Sequence, residues 1–420
     1  MSFSPTLVGS SNSTIKSHNL RAILLILLRQ QGISRVRLAQ RTGLSTTTIT
    51  NLISELLESG IVAEEGLEQD ADVTSHAQRS VGRPRTALRL VPDSCYALGI
   101  HIGVGRVRVA VTDLLARPVA SQVLYAAPEM AVETVVAHIS ETAQAVIAAS
   151  GAPREKLLGV GVGASGLVDI RTGVNILSPN LGWKNAPLHD WFAEQLGLPV
   201  CVDNNVRAMA LGEALFGLGQ EVDALAFVYG RIGVGAGFVF RGQLFHGSGA
   251  GAGEIGHMTI LTNGGEPCRC GNTGCLEPLV SEPVILEEAL RLADRRPESA
   301  LAHALHAADA PAIDAVFAAA RAGDDTAREL LEARACYLGV ALANLVNILN
   351  PNLIILGGLF AQGADLLLPT ARAVMQERAF ANLGAHVRLE ITGFGQQAGV
   401  IGAASLALDR FFYQQQMEIY

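Results

Sequence analysis

The sequence predicts an α/β protein in two parts, a small helix-turn-helix head over residues 1–92 and a larger two-lobed body over 93–420. Three observations carry that expectation. The first sixty residues contain three helix-length segments divided by glycines. From residue 96 onward, apolar strand-like runs alternate with longer helical runs, the pattern of helices laid over mixed sheets. Two glycine-marked hairpins, near 99–115 and 229–245, stand far apart, as duplicated lobes with a cleft between them would place them. A length of 420 residues is also more than one ordinary core needs.

In the head, "NLRAILLILLRQQG" (19–32) has helical length and stops at Gly32. "SRVRLAQRTG" (34–43) opens on a serine able to cap a helix and stops at Gly43. "LSTTTITNLISELLESG" (44–60) takes Ser45 as its N-cap, with Ile49, Leu52, Ile53, Leu56 and Leu57 at helical spacing. Two short helices around a turn glycine read as a helix-turn-helix, and the motif resembles that of bacterial winged-helix repressors. The start of its second helix would reach base edges and phosphates in a major groove, which makes Ser45, Thr46, Thr47, Thr48, Thr50 and Asn51 candidate contacts, with Arg35 on the preceding helix. "IVAEEG" (61–66) reads as a wing strand. Beyond it, Arg83 and Arg85 flank Pro84 in a compact basic unit suited to a minor groove or to phosphates.

Charge is divided unevenly. Residues 1–92 carry ten Lys/Arg and seven Asp/Glu, whereas the rest of the chain is net −11, so only the head is expected to meet a polyanion. The longest purely aliphatic run, "AILLILL" (22–28), falls far short of the ~20 residues of a membrane span, and no export signal is read at the N-terminus. Three scattered and three clustered cysteines suit a cytoplasmic metal site better than a disulfide framework.

Body strands are expected in "YALGIHIG", "VRVAVTD", "LLGVGVGASG", "ALAFVYG", "GAGFVFRG", "NLIILGG" and "VRLEITG", and helices over 131–150, 204–217, 283–293 and 325–349. The most specific chemistry lies in "GAGEIGHMTILTNGGEPCRCGNTGCLEP" (251–278). Cys268, Cys270 and Cys275 form C-x-C-x4-C, and His257 precedes them, a set of three thiolates and one imidazole that completes a tetrahedral zinc shell. Four protein ligands leave no open position, so the zinc would be structural.

"EIGHM", "CRCGNTGCLE" and "SPNLGW" (178–183) resemble the signature of the ROK family, which joins bacterial repressors and sugar kinases. The resemblance runs from about residue 95 to the C-terminus. It implies an actin-like, hexokinase-like (ribonuclease H-like) body, with lobe one over about 93–203 plus a C-terminal helix, lobe two over about 204–404, and a sugar in the interlobe cleft. It further implies that Asn180, Asn204, Asn205, Glu254, His257 and Glu277 face that sugar. Glu254 and Glu277 would otherwise brace the metal loop. Contacts of this kind suit a hydroxyl-rich, uncharged ligand.

The kinase half of the resemblance departs from the family pattern at three places. The catalytic carboxylate position, in "VDNNVRAMALGE" (202–213), is Asn205, and an amide cannot take a proton at neutral pH. The first phosphate loop reads His101-Ile102-Gly103-Val104-Gly105 where the family has Asp-Ile-Gly-Gly-Thr, and the second has Ile232 in place of its threonine. No ATP binding is therefore expected, and Val104 is expected to pack where a phosphate would fit. The combined expectation is a sugar-responsive repressor that binds a double-stranded operator as a homodimer or homotetramer. A kinase with an accessory DNA-binding head, or a repressor governed by a protein partner that docks on the C-terminal segment 405–420, are the alternatives.

Overall fold

The computed structural model describes residues 12–67, 86–126, 130–307 and 312–414. The head begins with α1 (Asn12–Arg29), which starts a full turn and more before the expected residue 19. Its first turns are polar and carry no apolar period, but Lys16 pairs with Glu55 at 2.7 Å and ties this extension to the third helix. α2 (Arg35–Thr42) is capped by the Ser34 hydroxyl and stopped by left-handed Gly43, and α3 (Thr46–Glu58) is capped by Ser45, as the sequence predicts. Ile49, Leu52, Ile53 and Leu56 are buried, and Leu57 is half-buried. β1 (Val62–Leu67) and β2 (Thr86–Leu90) pair antiparallel as the wing. Arg83 and Arg85 lie outside the described residues.

Lobe one is a five-stranded sheet built from β3 (Tyr96–Gly103), β4 (Arg106–Asp113) and β5 (Pro118–Leu124), an antiparallel meander covered by α4 (Val132–Ser150). β6 (Leu157–Ala164) joins parallel to β3. A small sheet of β7 (Leu167–Asp169), β8 (Val174–Ser178) and β9 (Trp183–Ala186) follows, then α5 (Leu188–Leu196) and β10 (Val200–Asn204), which closes the order β10-β6-β3-β4-β5. The small sheet and α5 have no counterpart in the expected elements, because their segments are short and lack a clear period.

Lobe two opens with α6 (Asn205–Phe216), β11 (Ala224–Gly230), β12 (Val234–Phe240) and β13 (Gln243–Leu244). The helices α7 (Glu277–Val280), α8 (Glu282–Arg295), α9 (Ala300–His306), α10 (Ile313–Arg321) and α11 (Asp325–Leu349) come next. β14 (Leu353–Gly358), α12 (Leu359–Gln362), α13 (Ala364–Arg378), α14 (Leu383–His386) and β15 (Arg388–Ile391) complete a second mixed sheet of order β13-β12-β11-β14-β15. All seven expected body strands and all four expected helices are present.

α15 (Ala398–Leu408) is buried on every residue, apolar or small throughout but for Ser405, whose Oγ donates to Ile401 O at 2.7 Å. The glycines of "ALGIHIG" and "GVGVGAS" explain how close it comes: a Cβ on Gly99 would lie 2.5 Å from the Val400 carbonyl oxygen, and one on Gly161 would lie 1.8 Å from that of Ala403. The other flank of α15 meets α6, where a Cβ on Gly402 would lie 2.6 Å from the Ala208 backbone. α15 is thus clamped between the sheet of lobe one and the first helix of lobe two. The expected lobe limit near 404 falls inside this single helix.

Past α15 a π-helical turn, Asp409–Tyr413, buries Phe412 and Tyr413. These two, with Ile401, Leu408, Ala97 and Leu114, join Leu20, Leu24, Leu27 and Leu90 in one continuous apolar cluster. The head therefore shares a core with the body, and Arg21 reaches Asp409 at 3.5 Å across it. Residues 405–414 close the molecule onto itself; 415–420 lie outside the described residues.

Candidate functional site

Between the lobes lies a cavity of about 500 Å3. Its wall takes in all six of the sugar-contact candidates, Asn180, Asn204, Asn205, Glu254, His257 and Glu277. They arrive from separate elements. Asn180 follows β8, Asn204 ends β10 and Asn205 starts α6. Glu254 is held by a pinched turn: Gly253 has φ +93°, its carbonyl accepts from Ala236 N at 2.7 Å, and a Cβ there would strike the Ala236 oxygen at 1.9 Å. Glu277 begins α7, and its Oε2 accepts from Val234 N at 3.0 Å, which ties it to the second glycine hairpin. Gly233 marks the convergence, since a Cβ there would lie 3.0 Å from Glu277 Oε2 and 3.3 Å from Asn180 Nδ2.

The six differ in what they have left to offer. Asn204 is spent as a cap: its Oδ1 accepts from Val206 N and Arg207 N, and its Nδ2 donates to Gly166 O at 3.0 Å. Asn205 has no side-chain partner among the described residues. Burial pushes the Glu254 carboxyl above its usual range, and neighbouring His257 and Arg207 oppose that rise. Asn180 Oδ1 accepts a short hydrogen bond from Arg269.

Asp203, next to the missing base, is not free to replace it. Its Oδ1 accepts from Arg207 Nε at 2.7 Å and from Asn204 N at 2.6 Å, and its Oδ2 meets His246 Nε2 at 2.8 Å. Arg207 is 1% exposed and extends the tie to Ala250 O and Ala252 O, so this cluster fastens the loop that carries Glu254. His246 has no signal in the sequence, because its contact with Asp203 spans 43 residues, and the same holds for the tie of Arg207 to the 250–252 loop. Val104 lines the cavity.

The contacts expected for a hydroxyl-rich, uncharged ligand include no cation, but the cavity carries two. Arg231 and Arg269 both line the cavity. Arg269 stands inside the "CRCGN" run, between two metal-ligand candidates, and Arg231 directly precedes Ile232 in the second glycine hairpin.

His257, Cys268, Cys270 and Cys275 gather so that their ligand atoms all lie within 4.8 Å of one another. Cys270 Sγ is 3.8 Å from Cys275 Sγ, and His257 Nδ1 is 3.5 Å from Cys268 Sγ. A tetrahedron with metal–sulfur bonds of about 2.3 Å and a metal–nitrogen bond of about 2.05 Å has edges of about 3.8 and 3.6 Å between those atom types. The cysteines are unpaired, and the donor set fits a closed four-coordinate metal centre. His257 also borders the cavity, so the metal loop and the cleft share a residue.

At the far end of the molecule the head presents Ser45, Thr46, Thr47, Thr50 and Asn51 exposed, and Thr48 half-exposed. Ser45 and Thr48 are engaged in the cap, and Thr50 Oγ1 donates back to Thr46 O at 2.8 Å. Thr47 and Asn51, one turn apart, have exposed side chains with no hydrogen-bond partner among the described residues. Arg35 pairs with Glu64 of the wing at 2.8 Å, so as placed it braces α2 against β1.

Comparison with known proteins agrees with this division. Residues 16–63 match a winged helix-turn-helix DNA-binding family, and residues 97–410 match the ROK family. The chain is 27% identical over 398 residues to the xylose repressor of Caldicellulosiruptor bescii, covering 95% of this chain and 97% of that one. It is 37% identical over 253 residues to the glucokinase of Halalkalibacterium halodurans, covering 60% of this chain and 77% of that one. A solved ROK family transcriptional regulator, a homologue of Escherichia coli Mlc, superposes with a TM-score of 0.78 at 28% identity over 94% of this chain and 96% of its own. With its winged helix-turn-helix head on a sugar-kinase-like α/β body, the chain belongs to the ROK family.

Proposed function

We propose that this protein is a sugar-responsive transcriptional regulator, acting as a repressor that a sugar in the interlobe cleft releases from its operator. The observation that carries the reading is the asymmetry of the cleft: hydroxyl-binding groups converge on it while the position of the phosphoryl-transfer base is the amide of Asn205. Asp203 is consumed by Arg207 and His246, so it does not replace the missing base. In this reading the protein is not a kinase and uses no ATP. It lies in the cytoplasm, and no described helix is long and apolar enough to cross a membrane.

The operator is double-stranded DNA with two half-sites, because one recognition helix reads only one half; a homodimer or homotetramer supplies the second. Thr47 and Asn51 carry base contacts, the remaining candidates of α3 and Arg35 support phosphate contacts, and Arg83 and Arg85 add to them. Domain limits of 1–92 for the head and 93–420 for the body follow the change of role. His257, Cys268, Cys270 and Cys275 hold zinc, whose chemistry here is structural: it fixes the loop that presents His257, Arg269 and Glu277 to the cleft.

The test is a gel-shift titration on DNA from upstream of the protein's own gene, with ADP release measured in parallel on a hexose panel. Saturable, salt-sensitive binding to one segment and no ADP above background are expected. Sequence-indifferent binding, or turnover with any hexose, would overturn the reading.

A further inference from the structure

The cleft holds more than one sugar ring fills. Its volume of about 500 Å3 is that of about 17 water molecules at about 30 Å3 each. A hexose has about twelve heavy atoms, bonded to one another and so each smaller than a water's share. With its hydroxyls at Glu254 and Glu277, one such ring leaves roughly a third of the space or more unfilled. The remainder is bounded by the two glycine hairpins, which bring Val104, Tyr229 and Ile232 to the wall.

Tyr229 is set there as a bare aromatic surface. On β11 it is registered between Gly235 of β12 and Gly357 of β14, so neither neighbouring strand puts a side chain directly opposite it. Such partners ordinarily cover each other, with Cβ atoms about 5 Å apart. The ring leans toward β14: a Cβ on Gly357 would lie 3.2 Å from its Cδ2, and one on Gly358 would lie 2.8 Å from its Cε2. These contacts fix the ring and leave it open on the side of Gly235, which itself lines the cavity. Neither the phenol nor the Asn205 amide has a hydrogen-bond partner among the described residues. Arg231, the cation of this end, has its charge met by Glu282 at 3.6 Å, so it has N–H groups to give to a neutral oxygen. A sugar ring, apolar on its faces and hydroxylated at its edges, matches an aromatic wall with a few polar groups around it.

We infer that the hairpin end of the cleft holds a second sugar ring against Tyr229, and that the ligand is a neutral disaccharide. The inference rests on the sugar-binding reading above. In a kinase the hydroxyl beside the catalytic base must stay free to attack a phosphoryl group. With Asn205 at that position the same direction is open to a glycosidic bond, and its amide can both donate to and accept from the oxygens of the two rings.

The experiment is calorimetric titration of the full-length protein with glucose, xylose and disaccharides built from them: cellobiose, maltose, gentiobiose and xylobiose. At least one disaccharide is expected to bind about tenfold or more tighter than its own monosaccharide. Tyr229→Ala, which removes the platform, and Ile232→Trp, which fills the space beside it, are each expected to abolish that advantage; each is checked for a native thermal transition. Monosaccharides bound as tightly as every disaccharide overturn the second ring and leave the sugar reading standing. A disaccharide preference that survives both variants also overturns it, because the second ring then lies elsewhere. No binding of any sugar in the set contradicts the sugar reading, and this inference falls with it.

Discussion

At the residue scale, two kinds of group have separate tests. Cys275 is one of four donors in a cluster whose spacing matches a tetrahedral centre, and it is fully buried. Cys275→Ser is expected to drop bound zinc from one per chain to near zero and to lower Tm by roughly 5–10 °C, read by metal analysis and calorimetry. In the head, Asn51→Ala removes one free amide from the exposed face of α3. A direct base contact of this kind is worth about 1–3 kcal/mol, so operator affinity should fall about 5- to 150-fold while binding to unrelated DNA changes little. The donors of the metal cluster were legible because zinc chemistry leaves residue types at fixed local spacing. His246 was not, because it reaches Asp203 across 43 residues; Arg207 stands only four residues from Asp203, but its tie to Ala250 O also spans 43 residues. Asn204 was legible as a cleft residue but not as one whose amide is consumed in capping α6.

At the element scale, the strands and long helices of the body were legible from apolar runs and their periods. β7, β8 and β9 are three to five residues each, too short for any period to emerge, although they supply Leu167 and Leu177 to the cavity. The seam between α1 and the π-helical turn after α15 carries a titratable group. Asp409 is 7% exposed, and Arg21 comes to 3.5 Å without forming a hydrogen bond to its Oδ1. Burial raises the carboxyl from its ordinary 3.8 to about 6, and Arg21, Gln414 and Arg410 only partly oppose the shift. A raised acid pKa means that the fold favours the protonated form. The associated stability is present below pH 4 and is lost as pH climbs through about 6, a difference of about 3 kcal/mol by neutral pH. Asp409→Asn should therefore unfold at higher denaturant than the parent at pH 7.5, and this advantage should shrink as pH falls through 6 toward 4. Urea melts across that range check it; a constant difference at every pH would contradict it.

At the scale of the whole molecule, the division into head and body was visible in charge and pattern, but their common core was not. In the sequence Leu20, Leu24 and Leu27 stand only in a run of helical length; in the structure they share one apolar cluster with Leu408, Phe412 and Tyr413. α15 begins against His101 at the cleft and runs, between the two lobes, to this seam under the head. A ligand that favours one arrangement of the lobes thus has a packed route to the position of the recognition helix, provided that it binds the two arrangements unequally. Linkage makes this coupling measurable from either end. The most direct measurement is the affinity of the cleft sugar for the protein alone and for the protein saturated with operator, paired with operator affinity with and without that sugar. The account predicts that operator weakens sugar binding by the same factor, about 5- to 150-fold, by which sugar weakens operator binding. A sugar affinity unchanged by operator would contradict it.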